Sequence, residues 1–298
     1  MKSKILKSLS SSILLLLFWG GCGYDHGIDP IPYRIRGTVV FFGGTPPWYV
    51  REARIAIAKK FPPEDLVTDL IYSDPLQFNR DTSRVEPDTL HYDLVVDAGT
   101  YPAAGVLWRR KGEPWDIANI LGIYGIDLTR GSFTPKEIVI TREHPVADSV
   151  NIEASWELTK RDAFIEGDIT FKGQWPDDTE IVALAFFPIV PRAQLDFLSV
   201  KALDITVPRF RQAPYHYRTA VGSGEYKFIA LFWKGKTTSI FDIRTVGFYR
   251  CPNDTLRPKP VTVGPGETLS GIDFEANLSS LPAGVSYVKD GGPCPSIP

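Results

Sequence analysis

The chain has 298 residues, 43% hydrophobic and 23% charged, with a formal net charge of −2. That length and balance provide for about two ordinary domains with buried cores and exclude wholesale disorder. The near-neutral charge excludes the basic footprint of a nucleic-acid binder and the polybasic stretch of a membrane-surface protein.

Residues 1–21 read as a processing segment, not as part of the fold. Lys2, Lys4 and Lys7 make a positive start, and Leu9 to Trp19 an apolar stretch too short to span a bilayer comfortably. Gly20 and Gly21 then precede Cys22. Small residues just ahead of a Cys resemble the lipobox of bacterial lipoproteins. That resemblance implies cleavage before Cys22, lipidation of its thiol and attachment to the bacterial cell envelope. Trp19 departs from the pattern, which usually has Leu there, and an ordinary secretory leader with an incidental Cys is the alternative. Residues 22–32, polar and holding Pro30, read as a tether. Neither Asp25 nor Asp29 is next to Cys22, so the resemblance implies the outer membrane, on its periplasmic or surface face.

A first domain is expected over 33–158. Tyr33–Phe41 and Ala53–Ala58 alternate polar with apolar or carry β-branched residues, as strands do. Residues 66–76 are ambiguous, with Leu66, Leu70 and Ile71 spaced for a helical turn. Asn79–Asp88 is charged and contains Pro, hence a loop, and Leu90–Val96 is a strand. Gly99-Thr100-Tyr101 then opens an apolar run that ends on Trp108 and reads as one strand. Strands follow around Gly122–Gly125, at Glu137–Ile140 and at Val150–Ala154.

A second domain over 159–280 repeats this order. Gly37 in the first strand is matched by Gly167, and Arg54–Ala58 by Glu180–Ala185. Gly99–Trp108 is matched by Gly224–Trp233, Gly122-Ile123-Tyr124 by Gly247-Phe248-Tyr249, and Ile152-Glu153-Ala154 by Phe274-Glu275-Ala276. Matches that keep their order mark a tandem duplication, on a scale far above the roughly 20–50 residues of solenoid repeats. Glu143–Asp162 joins the copies as a short linker, most of it occupied by the last strand of the first domain, and residues 281–298 form a Pro/Gly-rich tail with little to pack. Cys251, in a loop, and Cys294, in the tail, are expected to form a disulfide, because an exported chain meets an oxidising compartment.

Each copy has a Gly in its first strand, a central Gly-x-Tyr and a closing Ile-Glu-Ala or Phe-Glu-Ala strand. These features resemble the transthyretin-like, carboxypeptidase-regulatory-like β-sandwich domains of bacterial surface lipoproteins. The strand pattern leads to the same class: all-β, two tandem antiparallel Ig-like sandwiches. The Tyr of Gly-x-Tyr is expected to bury its ring while its hydroxyl finds a partner.

No catalytic constellation emerges. There is no Gly-x-Ser-x-Gly elbow, and the four histidines have no metal-ligand spacing. Asp177-Asp178 and Glu64-Asp65 read as turn chemistry. No metal, cofactor or nucleic-acid partner is expected. The loop tryptophans Trp48, Trp115 and Trp175 are candidate stacking platforms for a sugar or peptide, or else lids on their own sandwiches. The basic turns Arg109-Arg110-Lys111 and Lys234-Gly235-Lys236 read as solvated hairpin tips. The expected function is that of a non-enzymatic envelope lipoprotein whose sandwiches act as an interaction or spacer module, with carbohydrate binding as the alternative. Its partners are the membrane, through the lipid, and a protein or a glycan.

Overall fold

The computed structural model describes residues 33–61, 63, 65–81, 87–126, 135–236, 243–279, 281, 288–290 and 292–295. Cys22, with the expected leader and tether, lies outside them. Tyr33–Pro298 is one compact unit built almost entirely of strands. In its first half the strands are β1 (Arg34–Phe42), β2 (Glu52–Ala58), β3 (Leu70–Tyr72), β4 (Asp88–Val95), β5 (Gly99–Tyr101), β6 (Ala103–Arg109), β7 (Ile120–Ile123), β8 (Ile138–Ile140), β9 (Val146–Ala147) and β10 (Ile152–Ser155). The second half continues with β11 (Ala163–Lys172), β12 (Thr179–Phe187), β13 (Ala202–Asp204), β14 (Tyr215–Val221), β15 (Gly224–Tyr226), β16 (Phe228–Gly235), β17 (Arg244–Phe248), β18 (Arg250–Cys251), β19 (Asp254–Pro258), β20 (Val261–Val263), β21 (Thr268–Leu269) and β22 (Phe274–Asn277).

Each half is a sandwich with the same wiring. In the first, the order β10-β1-β4 faces β3-β2-β6-β7, and β5 pairs with β8. In the second, β14-β11 with β21 and β22 faces β13-β12-β16-β17, and β15 pairs with β20. Pairing is antiparallel except that β9 and β10 run parallel to β1, as β21 and β22 do to β11. The core follows from period two. Ile35, Val39 and Phe41 of β1 meet Ile55, Ile57, Val106 and Trp108 of the facing sheet, and Ile165, Ile169 and Phe171 meet Leu184, Phe186, Leu231 and Trp233.

Gly37 and Gly167 explain themselves. A Cβ on Gly37 would lie 2.0 Å from the Val150 carbonyl oxygen, and one on Gly167 would lie 2.3 Å from that of Ile272. Gly37 pairs with Tyr92 and Gly167 with Tyr217, and these tyrosines donate to the same carbonyls, at 2.5 and 2.8 Å. The missing side chain lets the crossing segment come close enough to be held by the neighbouring Tyr.

Several expectations change. Gly99–Trp108 is two strands, not one: Gly99–Tyr101 pairs with β8, while Ala103–Arg109 belongs to the sheet of β2 and β7. The chain changes ladder at a corner fixed by the Tyr101 hydroxyl on the Asp97 carbonyl at 2.8 Å, and Tyr226 repeats this on Gly222 at 2.6 Å. Both rings are buried, as expected of the Tyr in Gly-x-Tyr. Leu66 lies in a turn ahead of β3, which holds Leu70 and Ile71, so no helix forms there. The Cys251 loop is a hairpin, β18–β19. One described tail residue does pack: Val288 is 3% exposed among Phe187, Phe228 and Phe232, and Cys294 is disulfide-bonded to Cys251 as expected. The last strands of the first half, β9 and β10, fall within Glu143–Asp162. Trp156 stacks on Phe41 at 4.4 Å as part of the first core, which leaves only Lys160, Arg161 and Asp162 between the turn Trp156–Thr159 and β11.

A cleft between the sandwiches as candidate functional site

The sheets that carry β6 and β16 are apolar on both faces. Val182, Leu184 and Phe186 of β12 point into the second core, while Ala183, Ala185 and Phe187 point outward. Their cross-strand partners Phe232, Ala230 and Phe228 continue that outer face. Part of it is covered by Ile117 and Ala118 from the first half. Leu195 and Leu198, in the turn Gln194–Ser199, pack in the other direction onto Ile120, Ile123 and Ile126. Where the halves do not close, the small side chains Ala183 and Ala185 leave a cleft of about 800 Å³. Phe187, Phe197, Val200, Leu203 and Phe232 complete its apolar lining.

Polar groups line the cleft in separate places. On the first half's side are Arg110, Asp116, Asn119 and Arg161; on the second are Glu180, Asp204, Arg218 and Lys234. Most are engaged locally. Asp116 accepts from the Ala118 amide at 2.8 Å and so caps the turn Ile117–Asn119. Burial pushes its carboxyl up to about 6, against the opposing pull of that hydrogen bond and of Arg161. Asp204 accepts from Thr206 and Thr219, and Glu180 holds Lys234. Arg218 pairs with Glu166 at 3.3 Å and lies 4.0 Å over the Phe164 ring.

Arg161 differs. Its Nη1 donates to the Lys160 carbonyl at 2.7 Å and the Leu158 carbonyl at 3.4 Å, and Nη2 donates to Asn119 Oδ1 at 3.2 Å. Its guanidinium lies 5.6 Å from the Trp108 ring centroid. Burial holds it below its ordinary value. Asn119, which orients it, is itself buried.

The three candidate tryptophans have three different surroundings. Trp48 is 89% exposed, edge-on to Tyr49 at 5.8 Å. Trp115 lines the cleft, stacked on Tyr72 at 4.9 Å and covered by Arg109 at 4.6 Å. Trp175 is 7% exposed, packed on Phe171, with its indole donating to the Arg211 carbonyl at 2.7 Å. Trp48 and Trp175 occupy different positions in the repeat. Val50 bonds back to Pro47 and Thr179 back to Pro176, so Trp48 follows the matched proline and Trp175 precedes it.

The basic turns are solvated only at their tips, where Lys111 and Lys236 are exposed. Arg109 bonds Glu52 at 2.8 Å, Arg110 lies over Tyr49 at 4.8 Å, and Lys234 is 9% exposed against Glu180. Burial raises the Glu52 carboxyl, but its bonds to Arg109 and Arg54 outweigh that and hold it below its ordinary value. Among the described residues no group of three or more His, Cys, Asp or Glu gathers to hold a metal, and no helix is long and apolar enough to cross a membrane.

The sequence reading missed Arg161 and Asn119, which look like ordinary linker and loop residues. The one available signal was the continuous apolar run in β12 and β16. Such runs mark sheets buried on both faces, and hence a second layer against the outer face.

No protein-family model matches the chain. A comparison with curated proteins likewise finds no match. Among solved structures the chain is similar to a leucine-rich repeat protein from Bacteroides thetaiotaomicron, with 8% identity over 82% of this chain and a TM-score of 0.28. It covers 26% of that protein, about a quarter of its length. It is also similar to the minor pilin of the gram-positive pathogen Streptococcus agalactiae, with 12% identity over 89% of this chain and 99% of that one, TM-score 0.24. A streptococcal ancillary pilin shows 7% identity over 85% of this chain and 68% of its own, TM-score 0.22.

Proposed function

We propose that the chain is a non-enzymatic interaction module of the bacterial cell envelope. Two sandwich domains of the transthyretin-like, carboxypeptidase-regulatory-like kind, 33–158 and 159–280, receive a ligand between them. Lipid on Cys22 and the 22–32 tether hold them at the outer membrane. The observation that carries the binding role is the cleft of about 800 Å³, an apolar floor with a few polar groups at its border. That combination is the usual form of a small-molecule site. The carboxylates around it serve structure, as turn caps and ion-pair partners, which favours binding over acid–base chemistry.

The tether is tested in cells supplied with radiolabelled palmitate. The wild-type chain is expected to carry label and to fractionate with the outer membrane, and Cys22→Ser is expected to lose both. An unlabelled, freely soluble wild-type chain overturns the anchor.

A glycan-binding reading rests on Trp48, whose exposed ring offers a flat face for a sugar. With Trp175 buried and Trp115 stacked on Tyr72, Trp48 is the platform to test. Binding to a polysaccharide panel that Trp48→Ala abolishes supports it, and no binding by the wild type removes it.

A further inference from the structure

We infer that the cleft holds a small amphipathic carboxylate, its hydrocarbon body on the outer face of β12 and β16 and its head group on Arg161. The inference rests on the reading of the cleft as a binding site.

The head-group end follows from a count of donors. A guanidinium has five N–H groups in a fixed fork. Three hydrogen bonds from Nη1 and Nη2 leave Nε–H and one Nη2–H without an acceptor among the described residues. The other cations lining the cleft each have a carboxylate: Arg110 has Glu113, Arg218 has Glu166 and Lys234 has Glu180. Among the described residues Arg161 has none within ion-pair distance. Nearby Lys201 adds a second positive charge with no side-chain partner among those residues; burial, then the charge of Arg161, pull it below its ordinary value. Arg161 is half-buried and feels the Asp116 carboxylate without forming an ion pair with it, so its open guanidinium edge faces the cleft unmatched, and a bidentate carboxylate is the group that best fits such an edge. Trp108 and Asn119 hold the guanidinium in place before any ligand arrives.

The body follows from the floor. Ala183 and Ala185 provide depth, and Phe187 and Phe232 provide apolar walls. The backbone groups of β12 and β16 are engaged in their shared ladder. A sugar or an extended peptide would therefore leave its own polar groups unmatched along this face, whereas a hydrocarbon chain loses nothing there.

The test compares decanoate, below its micelle concentration, with 1-decanol, by calorimetry and by the fluorescence of Trp108, Trp115 and Trp233 at the cleft. The wild type is expected to bind decanoate about ten-fold more tightly than decanol, the difference a charge-assisted pair makes. Arg161→Leu is expected to abolish that preference while retaining decanol binding, Arg161→Lys to retain part of it, and Ala183→Phe to lose both ligands. Equal wild-type affinities, or a preference that survives in Arg161→Leu, overturn the head-group assignment and leave the cleft as an apolar site. If Arg161→Leu does not fold, the wild-type ratio and Arg161→Lys decide. No binding of either ligand by the folded wild type overturns the cleft reading itself.

Discussion

Two side chains show how the copies have diverged. In the second half, Trp233 Nε1 donates to Thr179 Oγ1 at 2.8 Å, and that hydroxyl donates to the Pro176 carbonyl at 2.6 Å. In the first half Val50 occupies the matching place, and Trp108 Nε1 is the one buried side-chain polar atom without a partner among the described residues. An unsatisfied buried donor is worth about 1–3 kcal/mol of lost stability. Val50→Thr is expected to restore the bond and raise stability by about 1 kcal/mol in denaturant titration. The same change at Val39, which has no indole to satisfy, is expected to lower it. Asp116 gives a second residue-scale prediction. Burial disfavours its charged form and pushes its carboxyl from 3.8 up to about 6. The penalty is absent below about pH 4, grows as pH rises through the window up to about 6, and is constant above it. Asp116→Asn keeps an acceptor for the Ala118 amide and removes the charge. The variant is expected to be more stable than wild type by roughly 1–3 kcal/mol at pH 7, with the gap closing by about pH 4 in melts across that range.

Several single strands were legible from one face that meets water. β1, β2 and β10 alternate or carry matched Gly and Ala positions, and the order of matched blocks disclosed the duplication. The closing strands could be read from Ile-Glu-Ala and Phe-Glu-Ala alone. β14 escaped notice although it pairs with β11 as β4 does with β1, because Arg211 to His216 carries Pro and charge up to its first residues. The strand change at Tyr101 and Tyr226 was also hidden, because a corner made by a hydroxyl and a carbonyl four residues back leaves the apolar run unbroken. The docking of the halves depends on which outer faces meet, and local pattern does not encode that. It hinges on the turn Gln194–Ser199, whose Leu198 is 7% exposed against Ile123 and Ile126. Leu198→Asp places a charge in that contact. It is expected to lower stability by about 3 kcal/mol and to split one cooperative unfolding transition into two by calorimetry. A single unshifted transition would show that the contact contributes nothing to coupling.

At the scale of the molecule, the disulfide and the tail act on the second half. Cys251 and Cys294 are 43 residues apart, and on the chain-entropy model a loop of that size contributes about 3–4 kcal/mol. The tail is also held by Lys289 on Asp254 at 2.8 Å, by its amide on the Leu256 carbonyl at 2.7 Å, and by Arg192 on Asp290 at 2.6 Å. Replacing both cysteines with Ser is expected to lower the melting temperature by several degrees. Hydrogen exchange should rise first around β18, β19 and β17, while β1 and β4 stay protected. Equal loss of protection in both halves would mean that the staple serves the whole unit.

The tail segment around Val288 also bears on how the outer faces of the two sandwiches are covered. The outer face of the first sandwich is covered by Phe61, Leu66, Tyr72 and Trp115, with Leu198 from its neighbour. That of the second is shared among the first half, the cleft and Val288. Each outer sheet face thus lends part of its cover to the other, and the disulfide-held stretch at Val288 shields a part of the second face that the first half leaves uncovered.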